Sequence, residues 1–382
     1  MQFWVITFLV VLCGANVFAS EIPADIQSET PNQSHIIKAA MVSKPNRPQI
    51  KKSPTPSEKP NEDVTEEIEE LSEDKLKINF IGEMETIRAK FEDTLLQIGR
   101  DHNLGYVEMV AANPKVDPIL PGENTKITLP KKHLIPDAKQ TGIVINLAEM
   151  RMYDFVTEPD NPKTYPLGIG RDGLNTPSGL TKITRKKEGP SWRPTPRMRE
   201  EDPELPAVVP PGEDNPLGTH ALYLGWPAYL IHGTHKPLGV GRRVSSGCIR
   251  MYPEDIVQVF ENIPVGTSVN VIKQPIKMAW IDGMLYLEAH AEDELADSFE
   301  DIGKIKEYRV PETLFSDLSD IAGDARDRLD WKKIREAVKY RQGFPVAILL
   351  DAPVEDIITE DVLMEEPIEE RPKRAPRMEL NG

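Results

Sequence analysis

Apolar positions in the chain fall into blocks with different periods. Residues 4–15, WVITFLVVLCGA, form a continuous apolar run, too short for a comfortable membrane span. Val17 and Ala19 then place small residues at the −3 and −1 positions of a cleavage site, so residues 1–19 read as a secretory signal peptide. The amino terminus is the only positive charge at its start. Residues 20–78 keep no apolar period and are rich in Pro, Ser and charge, Lys-rich first and acidic later. A disordered linker is expected there.

Regular patterning begins near residue 79. Leu95, Leu96 and Ile98, then Val107, Met109 and Val110, predict two short helices broken near Asn103–Gly105. Residues 126–129 predict a strand before Pro130. No opening strand is evident, because residues 83–91 are a charged stretch. Residues 79–134 therefore read as a small α+β domain. Residues 141–273 switch to short runs separated by Gly and Pro. Residues 142–155 predict a hairpin turning near Ala148 and Glu149. Further strands are expected at 166–170, 180–184, 221–224, 229–231 and 268–272. One helix, 252–262, is opened by Pro253, Glu254 and Asp255. The fold class is mainly β. A proline-rich insert, 186–215, is too long for a casual loop and reads as a lid or groove wall that includes Trp192. Residues 274–350 predict an α/β appendage: a hairpin turning at Asp282 and Gly283, helices near 291–302 and 322–340, and a strand at 344–350. Residues 351–382 read as a disordered acidic tail.

Composition adds three constraints. The net charge is −16, which makes nucleic acid an unexpected partner. The apolar fraction, 39%, is low for a fully packed chain and agrees with the unpatterned stretches. There are two cysteines, Cys13 and Cys248. Lipoprotein attachment through Cys13 is disfavoured by the bulky Leu12 before it. Cleavage after Ala19 leaves one thiol and no internal disulfide, which in an exported protein favours a working thiol over a structural one.

That thiol lies in LIHGTHKPLGVGRRVSSGCIRM, residues 230–251, with His232 sixteen residues upstream of Cys248. A free thiol is a mediocre nucleophile until a base removes its proton, and His232 is the nearby base. With no Asp or Glu between them, a backbone carbonyl is the local candidate to fix the imidazole tautomer. Gly247 permits unusual dihedrals, and the amides of Gly247 and Cys248 are candidate donors to an oxyanion. Arg250 shares a face with Cys248 if the chain is extended, and suits a substrate carboxylate. The plain alternative is a buried, inert cysteine. Structural zinc is disfavoured, since Cys248, His232 and His235 supply three ligands at most. His220 and His235 read as surface or hydrogen-bonded residues. No nucleotide, metal or redox-cofactor fingerprint is present, so no cofactor is expected.

His232-Gly233-Thr234 followed by Ser245, Gly247, Cys248, Ile249 and Arg250 resembles the signature of the L,D-transpeptidase catalytic domain, the YkuD-like family. Outer blocks at 176–179 (TPSG), 192–212 and 215–225 resemble the larger periplasmic cell-wall members of Gram-negative bacteria. The resemblance implies a β-sandwich with the cysteine in a groove. It also implies acylation of Cys248, His232 as base, and the carbonyl of Gly233 as its orienting group. Many relatives carry His or Lys where this chain has Ser246. Residues 79–134 resemble a LysM peptidoglycan-binding module through the broken helix pair, AANP, LPGE and the final strand, which implies glycan binding.

The implied substrate is a peptidoglycan tetrapeptide stem. The implied acceptor is another stem's amine, giving a 3→3 cross-link, or the terminal lysine of an outer-membrane lipoprotein. Carbapenem-type inhibitors are expected to acylate the thiol. Ser245, Ser246, Thr234, Tyr223, Tyr229, Trp192 and Arg243 are candidate substrate-binding residues. Trp226 is a candidate groove wall, and Arg193 and Arg197 either meet the stem or pair with neighbouring acids. Two other readings remain: a wall-binding scaffold with little activity, and an L,D-carboxypeptidase using water. A periplasmic, wall-associated location follows from the signal peptide.

Overall fold

The computed structural model describes residues 78–293, 296–297 and 313–350. The expected signal peptide, linker and acidic tail lie outside these residues, as does most of the helix expected at 291–302. Among the described residues, no helix is long and apolar enough to cross a membrane.

The N-terminal unit comprises β1 (Phe80–Ile81), β2 (Glu85–Arg88), α1 (Leu95–Asp101), α2 (Tyr106–Ala112), β3 (Lys126–Leu129) and β4 (His133–Leu134). The opening strand missing from the sequence pattern is β2. It pairs antiparallel with β3 inside the charged stretch. Only Ile87 of its four residues turns partly inward, so no alternation of apolar residues marks it. Thr94 caps α1, its hydroxyl accepting from Gln97 N.

The central domain contains β5 (Ile143–Asn146), β6 (Arg151–Asp154), β7 (Lys163–Pro166), β8 (Ile169–Gly170), β9 (Gly179–Glu188), α3 (Pro196–Glu201), β10 (His220–Leu224), β11 (Leu230–His232), β12 (Arg243–Ser245), β13 (Ile249–Arg250), α4 (Pro253–Asn262) and β14 (Ser268–Ile272). Eight strands form one sheet in the order β13-β11-β10-β9-β14-β5-β6-β7. Residues 179–182 of β9 pair with β14, whereas 183–188 pair with β10, so this strand joins two arms. Ile143, Ile145 and Met152 of one arm share a core with Leu222, Ile231 and Ile249 of the other. β5 and β6 are buried on both faces, because Val144, Tyr153 and Phe155 meet Ile81 and Ile135 on the far side. Pro253 at the first turn and Glu254 and Asp255 beside the amino end start α4, and Ile256 and Val259 face the core.

The appendage begins with the hairpin β15 (Ile276–Ile281) and β16 (Met284–Ala289), and β17 (Val346–Ala347) extends it. The helix expected at 322–340 is α-helical only over α6 (Trp331–Tyr340), and a further helix, α5 (Thr313–Ala322), precedes it. A 3₁₀ segment, Gly323–Arg328, separates them. Gly323 sits at φ +53°, and Asp330 caps α6 by accepting from Lys332 and Lys333 N.

The N-terminal unit is continuous with the central core rather than a separate bead. Leu95, Ile98, Val107 and Met109 belong to the same buried cluster as the sheet. Val107 N donates to Gly241 O at 3.1 Å, and Tyr252 Oη donates to Leu104 O at 3.2 Å. A Cβ on Gly241 would lie 2.2 Å from Tyr106 N, so glycine lets α2 approach the loop before β12. A buried ionic network joins all three parts. The Lys277 ammonium lies 2.9 Å from both Glu149 and Glu288 and donates to Leu134 O at 2.7 Å. His290 meets Glu288 at 2.6 Å, and Tyr153 Oη donates to Glu149 at 2.7 Å. His133, Glu149 and Glu288 place their ligand atoms within 4.8 Å of one another, and Lys277 already supplies positive charge to both carboxylates.

Candidate active site

The edge strand β13 runs parallel to its neighbour β11, with Ile231 opposite Ile249 and His232 opposite Arg250. Ile231 and Ile249 are 0% and 1% exposed and point into the core. Alternation then turns His232 and Arg250 to the opposite face, and Cys248, just before β13, lies close enough to Arg250 to feel its charge. Tyr223, opposite Leu230 on β10, shares that face.

His232 is buried, and its Nδ1 donates to Gly233 O at 2.6 Å. A carbonyl only accepts, so the neutral ring carries its proton on Nδ1 and leaves Nε2 as a base. Burial, with Arg250 nearby, lowers its pKa to about 4. Gly233 packs against α4, since an added Cβ would lie 3.0 Å from Ile256 Cγ2. Cys248 is half-buried, and its Sγ donates to Ala228 O at 3.5 Å. Burial raises the thiol's pKa, opposed in part by Arg250. The resting pair is therefore a thiol and a neutral imidazole.

The turn before Cys248 is braced from three sides. Gly247 has φ +104°, and an added Cβ would lie 3.0 Å from Tyr229 Cε1. Its carbonyl accepts from Thr176 Oγ1 at 2.9 Å, and that hydroxyl accepts from Gly170 N at 3.1 Å. Ser245 Oγ donates to Cys248 O and accepts from Gly247 N at 3.1 Å. The Gly247 amide is thus already engaged, which leaves the Cys248 amide as the candidate oxyanion donor.

Several expected substrate contacts sit elsewhere. Ser245 is 2% exposed and braces the turn. Thr234 is buried, and its Oγ1 accepts from Lys236 N at 3.0 Å, closing the loop after β11. Arg243 is 6% exposed. It donates to Asp297 at 2.8 Å and to Asn175 Oδ1 at 3.1 Å, and lies 3.6 Å from Asp293. This arginine ties the appendage to β12. Trp192 pairs through its backbone with Val209 inside the proline-rich insert, where Arg197 pairs with Glu201 one helical turn on. Tyr229 borders Gly247, and Trp226 meets it edge-on with centroids 6.2 Å apart. The Arg185 guanidinium lies 3.6 Å from the centre of the Tyr223 ring. Ser246 is half-exposed beside Cys248.

Arg250 keeps a buried Nε without a partner. Arg171, which no sequence signal singled out, adds positive potential to it. Arg171 N donates to Ser245 O at 3.0 Å, and its guanidinium lies 3.7 Å from Glu201 of the insert. Ala228 was also missed. It holds φ +67°, sparsely populated for a residue with a Cβ, and presents its carbonyl to the thiol. Neither role has a motif, because each depends on chain reversals far apart in sequence.

A family model described as the L,D-transpeptidase catalytic domain matches residues 140–271. "Probable L,D-transpeptidase YbiS" of Escherichia coli strain K12 is 40% identical over 254 residues, 65% of this chain and 81% of its own length. "Probable L,D-transpeptidase ErfK/SrfK" of Salmonella typhimurium is 36% identical over 281 residues, 72% and 89% of the two chains. A solved L,D-transpeptidase from Mycobacterium smegmatis aligns at 16% identity and a TM-score of 0.28, covering 39% of this chain and 74% of its own. With a two-strand cysteine–histidine site and relatives of this identity and coverage, the chain belongs to the L,D-transpeptidase family, whose members are cysteine-dependent enzymes.

Proposed function

We propose that Cys248 is acylated by a peptidoglycan tetrapeptide stem and passes the acyl group to an amine. The observation that carries this reading is that His232 ends β11 and Cys248 directly precedes its parallel neighbour β13, with His232 Nδ1 held by Gly233 O. His232 Nε2 takes the thiol proton as sulfur attacks the carbonyl of the third stem residue. The Cys248 amide donates to the oxyanion. When the intermediate collapses, the C–N bond breaks, the imidazolium returns its proton, and the terminal D-alanine leaves as an amine. The acceptor amine then attacks the thioester, gives a proton to His232, and the thiol is regenerated.

Arg250 binds the departing residue's carboxylate, because its buried Nε has no protein partner and Arg171 reinforces its potential. Tyr229, Tyr223 and Trp226 wall the groove and limit water. An acceptor stem amine gives a 3→3 cross-link; a lipoprotein's terminal lysine would give a wall anchor. Carbapenems acylate the same thiol. The N-terminal unit is a LysM-like module that holds glycan, and the signal peptide directs the enzyme to the periplasm.

The test is incubation of the protein with defined tetrapeptide muropeptides, a lysine-ended lipoprotein peptide and a Cys248→Ala control. Cross-linked dimers or peptide-linked muropeptides, absent from the control, support the reading. Tripeptides alone would replace it with a carboxypeptidase, and no turnover would favour a scaffold.

A further inference from the structure

A second cleft, of about 450 Å³, opens where the N-terminal unit meets the sheet. Its lining includes His102, Asn103, Lys131, Arg151, Lys163 and Asp255, and none of the residues gathered around Cys248. The basic groups outnumber the one carboxylate. Arg151 and Asp255 are 2% and 6% exposed. Arg151 donates to Glu108 and, at 3.0 Å, to Thr164 Oγ1, yet its Nε has no partner. Asp255 Oδ2 and Asn103 Oδ1 are also buried without partners. A buried polar atom left unpaired costs about 1–3 kcal/mol, and such atoms are rare. His133, which also lines the cleft, has an unpartnered Nδ1 as well, and four such atoms on one lining point to an occupant that supplies hydrogen bonds.

We propose that this cleft binds a carboxylate, with Arg151 as the buried donor, Lys131 and Lys163 as rim cations, and Asp255 sharing a proton with the bound group. The choice of class follows from the lining. A neutral polyol would leave the excess of basic groups unused. A phosphate dianion would set two negative charges against Asp255. A carboxylate accepts from Arg151 Nε and from the protonated acid.

The environment of Asp255 makes that proton available. Burial and Glu254 on its own helix push it up to about 7, while Arg151 from β6 and Arg100 from α1 pull it down. Tyr165 from β7, raised to about 12, and Tyr252 at the helix cap, raised further, both stay neutral. Lys131 and Lys163 each lie near an exposed acid, Glu85 at 3.0 Å and Glu158 at 3.5 Å, and swing on long stems. Binding is then coupled to proton uptake by Asp255. Affinity falls about tenfold between pH 6 and pH 8, the change in protonated fraction of an acid titrating near neutrality.

Two sources of carboxylate suit an enzyme of the proposed activity: free D-alanine, and the terminus of a tripeptide stem. Only this choice of probes rests on that activity. The experiment is NMR titration of the isotope-labelled full chain, carrying Cys248→Ala to prevent turnover, following the Arg151 Nε–Hε signal. Each probe is added separately at pH 6 and pH 8. A shift with either probe, weaker at pH 8, supports the site, and the probe that binds tighter names the source. Asp255→Asn should keep binding and lose the pH dependence, and Lys163→Ala, on the exposed rim, should weaken it. An unmoved Arg151 signal with both probes in large excess would overturn the proposal and leave a water-filled cleft. A shift confined to His232 would do the same, assigning the carboxylate to the groove at Cys248. An inactive wild-type enzyme would refute the proposed reaction and leave this titration unaffected.

Discussion

Cys248 and His232 rest uncharged because both are buried, and burial penalises whichever form carries charge. In the proposed mechanism the thiol becomes nucleophilic only as its proton moves to Nε2. This differs from a thiolate–imidazolium pair formed in advance, and the two have different pH signatures. Alkylation of Cys248 by iodoacetamide should keep accelerating above pH 9. A rate plateau reached by pH 7 would contradict the neutral pair. Arg250→Met should lower kcat/KM for a tetrapeptide by roughly 10–100-fold, the worth of about 1.5–3 kcal/mol for a charged hydrogen bond. It should also raise the His232 pKa part of the way, because burial, the larger cause of its depression, remains while the Arg250 cation is gone. Unchanged kcat/KM would remove Arg250 from the groove. The grouping of Cys248, His232 and Gly247 was legible in sequence because their spacing is local. Arg243 was misread for the opposite reason: its partner Asp297 lies 54 residues away. Ser245 and Thr234 were placed on the substrate because hydroxyls in a motif suggest contact, whereas here they tie down backbone.

At the scale of elements, the catalytic turn depends on the loop that carries Thr176. One hydroxyl joins Gly170 N to Gly247 O. Thr176→Val should cost about 1–2 kcal/mol in urea unfolding and slow acylation, while Thr176→Ser should restore most of both. Full acylation in the valine variant would show that the turn holds without it. Strand and helix positions in the central domain followed from apolar alternation, and the hairpin of β5 and β6, the strand β14 and the helix α4 lie close to where the pattern puts them. β9 runs on through charged residues 185–188 because its second half pairs with β10 while mostly exposed, a role that polar residues fill without an apolar signature. β2 escaped notice for a similar reason. The helix expected at 322–340 begins only at Trp331, because Gly323 follows the end of α5 and Asp330 caps α6, punctuation that a broad helical period hides.

For the whole molecule, the three parts are joined by a shared apolar core and by a buried ionic network. Glu108, His133, Glu149, Lys277 and Glu288 resemble surface residues in any one-dimensional reading, so the ionic part of this union had no sequence signal. Lys277→Met leaves Glu149 and Glu288 facing each other and should cost roughly 3–5 kcal/mol in urea unfolding. A change under 1 kcal/mol would show that the network contributes little. Lys277 and His290 hold Glu288 well below the usual carboxylate range, and Glu149 is lowered too. Their stabilisation is present above about pH 4.5 and is lost as pH falls through their lower folded values. His133 is held neutral by burial, so the unfolded chain takes up its proton first, and stability also declines below about pH 6.5. Asp255 opposes this trend, since its raised pKa favours the folded state at low pH. All these groups hold the structure around one thiol. The intact mass of the full chain mixed briefly with a tetrapeptide stem, followed by peptide mapping, tests the proposed thioester. An adduct equal to the stem minus D-alanine is expected, located on Cys248 and absent from Cys248→Ala. An adduct on another residue, or turnover that persists in Cys248→Ala, would contradict it.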